Sequence, residues 1–465
     1  MNTKKIITGF TLLSCIFGFS QAIEADVQRV RNGLSIYNGE INSGTARYIG
    51  MGSSMGALGG DLSSINTNPA SSAVYIKSSF GLTLGVDNTK NKAAFGSSLS
   101  TNNSNFNFNQ GGLVFVVDLN DKNFKNLSFA ITGTNENIDD EILFPNNSNI
   151  TFDDNSTPVN TYTFNGFRDY RNGEKAKVNF NVGTNYNDKL YLGLNLNYHY
   201  ANYDHSIRYS EIDQNNNTYV YNKENTPYSE TSNGFSLGLG VISKINQNIR
   251  LGLAYNSPVW WNNIQTEFIS YDVDNGYTDL YFFDQDRVTG AGRLTASGAF
   301  VMENLAVNVD YNYNLNSDTQ IRPKSEFLGE NDFIDAYVKN TSEIKIGAEY
   351  RIKNLRLRGG WGTLESPMKD VSYTTGTVNE LGVTSNNNVK DLFLGKRDQF
   401  SLGLGYNFGN FFMDFAFQNT KQDYNYIMNG FFIDNEYFTI DLTSNLLGEV
   451  TKTTNNYFLT FGWNF

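Results

Sequence analysis

The stretch LYLGLNLNYHY, from Leu190 to Tyr200, alternates without a break. Leu190, Leu192, Leu194, Leu196 and Tyr198 fall on one side of an extended chain, with Gly193, Asn195, Asn197 and His199 on the other. A period of two marks a strand with one apolar face. The polar face carries Asn and Gly rather than Lys and Glu. The pattern returns in FSLGLGV (235–241), LAVNVDYNYNL (305–315) and FSLGLGYNF (400–408).

Composition says what kind of sheet this is. Charged side chains make up 18% of the 465 residues and aromatic ones 14%. A water-soluble domain usually carries about 25% charge. Low charge, many aromatic residues and strict alternation fit a transmembrane antiparallel β-barrel, whose lipid-facing and lumen-facing residues average to a polar mean. A propeller would repeat every 40 to 50 residues, roughly, and a sandwich needs no such regular connections. The net charge of -12 speaks against nucleic acid, which needs a basic face.

The ends carry their own signals. Lys4 and Lys5 precede an apolar run from Ile6 to Phe19, then Ser20-Gln21-Ala22. This reads as a secretory leader, residues 1–22, cut after Ala22. Leu12-Leu13-Ser14-Cys15 offers a rival lipobox, but apolar residues continue past it. Cys15 is the only cysteine, so the mature chain is expected to have no disulfide, zinc-thiolate or thiol nucleophile. The C-terminal NYFLTFGWNF ends on Phe465. An aromatic end on an alternating strand resembles the signal read by the barrel-assembly machinery.

Connections set the strand number. Short polar turns near Asp121, Asp188, Asn246, Glu303, Lys353 and Gly409 alternate with long polar connections at about 87–105, 135–174, 204–230, 257–287, 316–340, 365–397 and 422–454. Six short and seven long connections predict about 14 strands, from Val74–Val86 to Asn455–Phe465. Barrels of the outer membrane keep short turns in the periplasm, so both termini are expected there. Tyr198, Tyr255, Tyr406 and Trp463 are expected in the aromatic girdles.

The segment RYIGMGSSMGALGGDLSSINTNPASSAVY, Arg47 to Tyr75, resembles the start of the FadL/TodX family of outer-membrane transport proteins. The residues that carry the likeness are Gly50, Gly52, Gly56, Asp61, Ser63 and Asn68-Pro69-Ala70. The resemblance implies a hatch folded inside a barrel of 14 strands. It divides the chain into a hatch segment, 23–73, and a barrel with long extracellular loops, 74–465. Gly permits sharp turns and close backbone contact, and Pro69 fixes its own φ and restrains Asn68. Met51, Met55, Leu58 and Ile65 argue against a flexible linker.

The family likeness also implies passive uptake of hydrophobic compounds, with long-chain fatty acids as type substrate. No cofactor, metal or enzymatic step is expected. The partners it implies are a hydrophobic small molecule, outer-membrane lipid and lipopolysaccharide, and the chain is expected to be a monomer. For capture of the ligand the sequence offers Trp260, Trp261, Phe268, Tyr271, Tyr281, Phe282 and Phe283, apolar groups in a connection that is otherwise polar. The bland alternative is that they pack the barrel mouth. Lys177, Arg250, Arg293, Lys345, Arg351, Arg356 and Arg358 are candidates to meet a carboxylate head group, Arg356 and Arg358 on one strand face, unless Glu343, Glu349 or Asp310 simply pair with such lumen charges. His199 is placed in the lumen and His205 in a loop, with no serine or carboxylate arrangement that marks a hydrolase. Asp272, Asp274 and Asn275-Gly276 give only part of a calcium loop. A secretion or surface-assembly partner and an open porin are the competing functions.

Overall fold

The computed structural model describes residues 29–153, 158–222, 226–272, 277–375, 385–428, 431–434, 437–440 and 446–465. The leader expected at residues 1–22 lies outside them. Fourteen antiparallel strands form a closed barrel. They are β1 (Ser79–Phe95), β2 (Ser97–Asp118), β3 (Phe124–Asn137), β4 (Thr161–Tyr186), β5 (Leu190–Asp213), β6 (Tyr228–Lys244) and β7 (Ile249–Asn256). The remainder are β8 (Arg293–Val301), β9 (Leu305–Asn314), β10 (Thr341–Ile352), β11 (Leu355–Leu364), β12 (Arg397–Asn407), β13 (Phe411–Ile427) and β14 (Leu447–Asn464). Each pairs with the next, and β14 returns to β1 from Ser79↔Asn464 to Ala94↔Glu449. Closure leaves the wall no edge, and a sheet in lipid must close because no water is there to satisfy its backbone.

The two faces of the wall differ as the alternation predicts. Leu237, Leu239, Leu251, Leu253, Ile344 and Leu402 point outward and are exposed, whereas Asn195, Asn308 and Asp310 point inward and are 0% exposed. Tyr198, Tyr255, Tyr406 and Trp463 all face outward. Trp463 packs on Phe411, ring centroids 4.9 Å apart, beside the short turns. In one of those turns Asp121 accepts backbone N–H groups of Phe124 and Asn123, which lowers its pKa.

Several boundaries differ from expectation, some toward more strand and some toward less. A crossing needs only about 10 residues, yet β4 has 26 and β5 has 24. The surplus continues past the membrane as paired ribbons. Residues 87–105, expected as an irregular loop, are the upper halves of β1 and β2, which turn at Gly96. Above the lipid the outer face meets water, so the lipid-facing half of the alternation fades while the hydrogen-bond ladder persists. The expected strand from Val288 is broken at 290–292 before β8. The first strand begins at Ser79, not Val74, because Pro69–Val74 is a 3-10 helix.

The chain before β1 is inside the barrel. Residues 46–74 bond to inward side chains around the whole ring. Ala46 N donates to Thr460 Oγ1 at 2.7 Å, Met55 N to Asp310 at 3.0 Å, and Gln399 Nε2 to Gly52 O at 2.9 Å. Asn181 and Asn195 each donate to backbone carbonyls, of Pro69 and Ile65, at 2.9 Å. Asn68 does three jobs. Its amide nitrogen donates to Gly56 O and Val241 O, and its oxygen accepts from Ala70 N. The residues before this segment, 29–37, lie at the opposite end, among the long connections. Strand parity therefore fixes the end at which β1 starts and β14 finishes, but not the place of residue 29.

Gly52 turns at φ +64, and a Cβ on it would stand 2.9 Å from Trp361 N. A Cβ on Gly360 would overlap the Gly52 backbone. Gly360→Val should therefore displace the inner segment while leaving the barrel ladder whole. The expected result is heat-modifiable gel migration as in the native chain, with cleavage of residues 46–74 by added protease at least ten times faster.

Candidate functional site

Three levels stack along the lumen. At the short-turn end, Thr45 caps the helix Ala46–Gly50 and donates to Asp61 at 2.8 Å, and Asp61 also accepts Ser63 N at 2.9 Å. Arg47 projects to the wall and meets Glu349 at 3.1 Å. Glu349 also receives Arg351 at 2.9 Å and Arg358 at 2.8 Å, and Arg358 reaches Asp414 at 2.6 Å. One carboxylate thus ties the inner segment to β10 and β11. A cavity of about 240 Å³ opens here, lined by Arg47, Arg351, Arg356 and Arg358.

The middle level holds two adjoining cavities of about 310 Å³ and 110 Å³. They share Asn38, Gly39, Glu40, Ser43 and Lys175. The smaller one reaches the wall at Asn256, Ser257, Val259 and Gly292. There the wall itself is interrupted. β7 ends at Asn256 and the chain resumes as Trp260–Asp272; the returning strand Tyr277–Thr289 stops at Thr289 and resumes as β8. Gly290 N donates to Val259 O at 2.9 Å across the break. Pro258 has no N–H to give a ladder.

The outer level is the largest buried apolar cluster. Residues 29–37 run through it, Gly33–Tyr37 as a π-helix, with Val30, Leu34 and Ile36 buried among Phe144, Phe167, Trp261 and Tyr426. Two ion pairs fasten this strap, Arg29 to Asp286 and Arg31 to Asp169. Burial works against the charge of Arg31, and Asp169 more than restores it. Asp169 also accepts from Tyr426 at 2.8 Å and pairs with His205 at 2.8 Å. Trp261 Nε1 donates to Tyr37 O at 3.1 Å. The strap thus covers the lumen from the long-connection side.

The structure separates several residues that the sequence grouped. Trp260 is 42% exposed and Trp261 1%, because neighbours on a strand face opposite sides. They form no single capture surface. Phe268, Tyr271, Tyr281, Phe282 and Phe283 lie on the ribbon strands Trp260–Asp272 and Tyr277–Thr289, and their side chains fall outside the described residues. Arg358 is committed to Glu349 and Asp414; Arg356 donates to the backbone of Lys353 at 2.7 Å. His205, expected in a loop, sits buried in β5. Of the expected hatch-motif residues, Gly50 lies against Gly403 of β12, Gly52 against Gly360 and Trp361 of β11 and Gly56 against Ser297 of β8, while Asp61, Asn68, Pro69 and Ala70 are buried. Among the described residues no group of three His, Cys, Asp or Glu side chains is placed to hold a metal ion.

Sequence reasoning missed an aromatic shelf beside the mouth. The short strand Thr218–Asn222 pairs with the upper part of β5 and is exposed along its length. Tyr221 stacks on Tyr209 at 5.1 Å, and Tyr219 meets Tyr162 edge-on at 5.8 Å. The alternation in TYVYN after the polar turn 213–217 is the signal that could have found it.

No family model matches the sequence, and no curated protein matches it significantly. Solved structures do. A Pseudomonas aeruginosa FadL homologue aligns with a TM-score of 0.55 at 12% identity, over 91% of this chain and 99% of that one. The P. putida toluene transporter TodX gives 0.56 at 12% identity, over 92% and 99%. The Ralstonia pickettii toluene transporter TbuX gives 0.53 at 14% identity, over 92% and 99%. At such identities the likeness is one of fold.

Glu349→Gln removes the charge that three arginines share. Removing one partner of a buried ion pair costs about 3–5 kcal/mol. The folded band should therefore be lost at lower temperature on unheated gels, and Arg47→Met, which leaves Glu349 its two wall arginines and frees only Gly60 O besides, should cost less.

Proposed function

We propose that this chain, a barrel with the fold of FadL and TodX, is an outer-membrane protein for passive passage of hydrophobic or amphiphilic small molecules, with long-chain fatty acids as the simplest substrate. The short turns are assigned to the periplasm and the long connections to the cell exterior. Residues 46–74 act as the hatch.

The observation that carries this reading is the combination of a lumen blocked along its axis with a gap in its wall. Bonds from residues 46–74 reach nearly every strand, so a straight aqueous path is filled. This disfavours an open porin. The break between Ser257–Val259 and Gly290–Gly292 lies beside the smaller cavity and offers a sideways exit into the membrane. Apolar solutes suit such an exit because lipid, not water, receives them. The aromatic shelf of Tyr162, Tyr209, Tyr219 and Tyr221 supplies an outer surface on which such a ligand is first held. The soluble solutes of a porin would need none of this.

A Cβ on Gly292 would stand 3.2 Å from Pro258 Cδ and 3.5 Å from Leu315 Cδ1. Gly292→Phe is therefore expected to fill the break. In cells whose outer membrane has no other such barrel, the native chain should raise uptake of a fluorescent long-chain fatty acid several-fold. The variant, folded and inserted, should return uptake to the background level. Uptake unchanged by the native chain would refute the passage reading; normal uptake by the variant would move the exit elsewhere.

A further inference from the structure

The two central cavities carry opposite charge. In the larger one carboxylates outnumber cationic side chains seven to five. Its cations already have partners, Arg171 lying 4.0 Å from Asp140. Lys452 pairs with Asp140 at 3.1 Å, Arg397 with Glu343 at 3.4 Å, Arg31 with Asp169, and Lys175 donates to Gly39 O. Four of its carboxylates, Asp87, Glu136, Asp139 and Glu365, form no ion pair among the described residues. Their described partners are neutral: Gly173 N reaches Asp139 at 2.7 Å and Ser342 N reaches Glu365 at 3.0 Å. Two amide oxygens that line the same cavity, of Asn109 and Asn456, are buried and accept nothing.

The smaller cavity is the reverse. Lys175, Lys177 and Arg293 line it with Glu40 as the one carboxylate, and Glu40 is already paired with Arg293. Among the described residues Lys177 has no ion pair, and Asn256 Nδ2 and the remaining nitrogen of Arg293, Nε, are buried donors without acceptors. Beside these cations lie Tyr37, Val259 and Trp261 and the break in the wall. Because the cavities adjoin, one solute can touch both.

Three ligand classes meet this site differently. A pure hydrocarbon leaves the unpaired charges and orphan amides as they are, which is costly for buried polar groups. A simple fatty acid satisfies the cationic side and leaves the acidic side unanswered. A head group with an ammonium and an acidic group answers both, and the apolar edge of the smaller cavity receives the acyl chain. We propose that the adjoining cavities form a binding site for an amphiphile with a zwitterionic head, its ammonium among Asp87, Glu136, Asp139 and Glu365 and its anionic group at Lys177 and Arg293. The inference rests on the passage reading above and narrows its substrate class.

The test uses the full-length mature chain purified in detergent, with three probes of equal acyl length: a lysophosphatidylethanolamine, its N-acetylated form, which has lost the ammonium, and the free fatty acid. Titration calorimetry should give the zwitterion at least ten-fold tighter binding than the other two. The double variant Asp139→Asn, Glu365→Gln keeps both acceptors for the backbone donors and should erase that difference. Lys177→Met should weaken the zwitterion and the N-acetylated form alike. Equal affinity for all three probes, in a protein that still passes fatty acid in cells, would overturn this inference and leave the passage reading standing. Binding of none, together with no uptake, would overturn both.

Discussion

Everything in this molecule follows from the closure of β14 onto β1. A sheet in lipid must satisfy each backbone group within itself, and the ladder from Ser79↔Asn464 to Ala94↔Glu449 does so for the last open edge. Closure divides the side chains into two populations. One meets lipid and is Leu, Ile, Val and aromatic; the other meets a confined interior and must find hydrogen-bond partners there. An interior of Asn, Ser, Gln and Asp is poorly served by a few trapped waters but well served by a second stretch of backbone. Residues 46–74 provide it. Their small side chains let the backbone approach the wall, and their peptide groups pair with the wall's amides, as in Asn181 and Asn195 with Pro69 and Ile65.

The same logic explains why the lumen is layered. Near the short turns, the segment is anchored by Arg47 on Glu349. In the outer half, the strands have left the membrane and the barrel widens into ribbons whose inner faces are apolar. The strap at residues 29–37 fills that space, and its arginines reach carboxylates on the ribbons. Between the two fillings is the charged middle level, beside the interruption after β7 and before β8. A solute that enters from the shelf must pass the strap, and one that leaves through the break need not move residues 46–74 at all.

How much of this was legible in the sequence depended on lipid. Where a strand crosses the membrane, the period of two is enforced, and segments such as Leu190–Tyr200 and Phe400–Phe408 were read in place. The turns at Asn187-Asp188 and Lys353 were equally clear, and both use positive φ. Above the membrane that enforcement ends, so the ribbons at 87–105 read as loops. The split of Trp260 from Trp261 was in principle readable, since adjacent strand residues face opposite ways; grouping them by composition hid it. The opposed charges of the two cavities were harder to read, because pairing of β3 with β4 sets Glu136 beside Lys175 and near Lys177, whereas Glu365 reaches the same cavity from far along the chain.

The central claim is that the chain inside the barrel, and not the barrel's width, decides what passes. Single-channel recording in planar bilayers tests it most directly, comparing the mature chain with one lacking residues 50–70. The account predicts no steady ion conductance for the mature chain and a large, salt-proportional conductance for the shortened one. A stable open conductance in the intact protein, unchanged by the deletion, would contradict it.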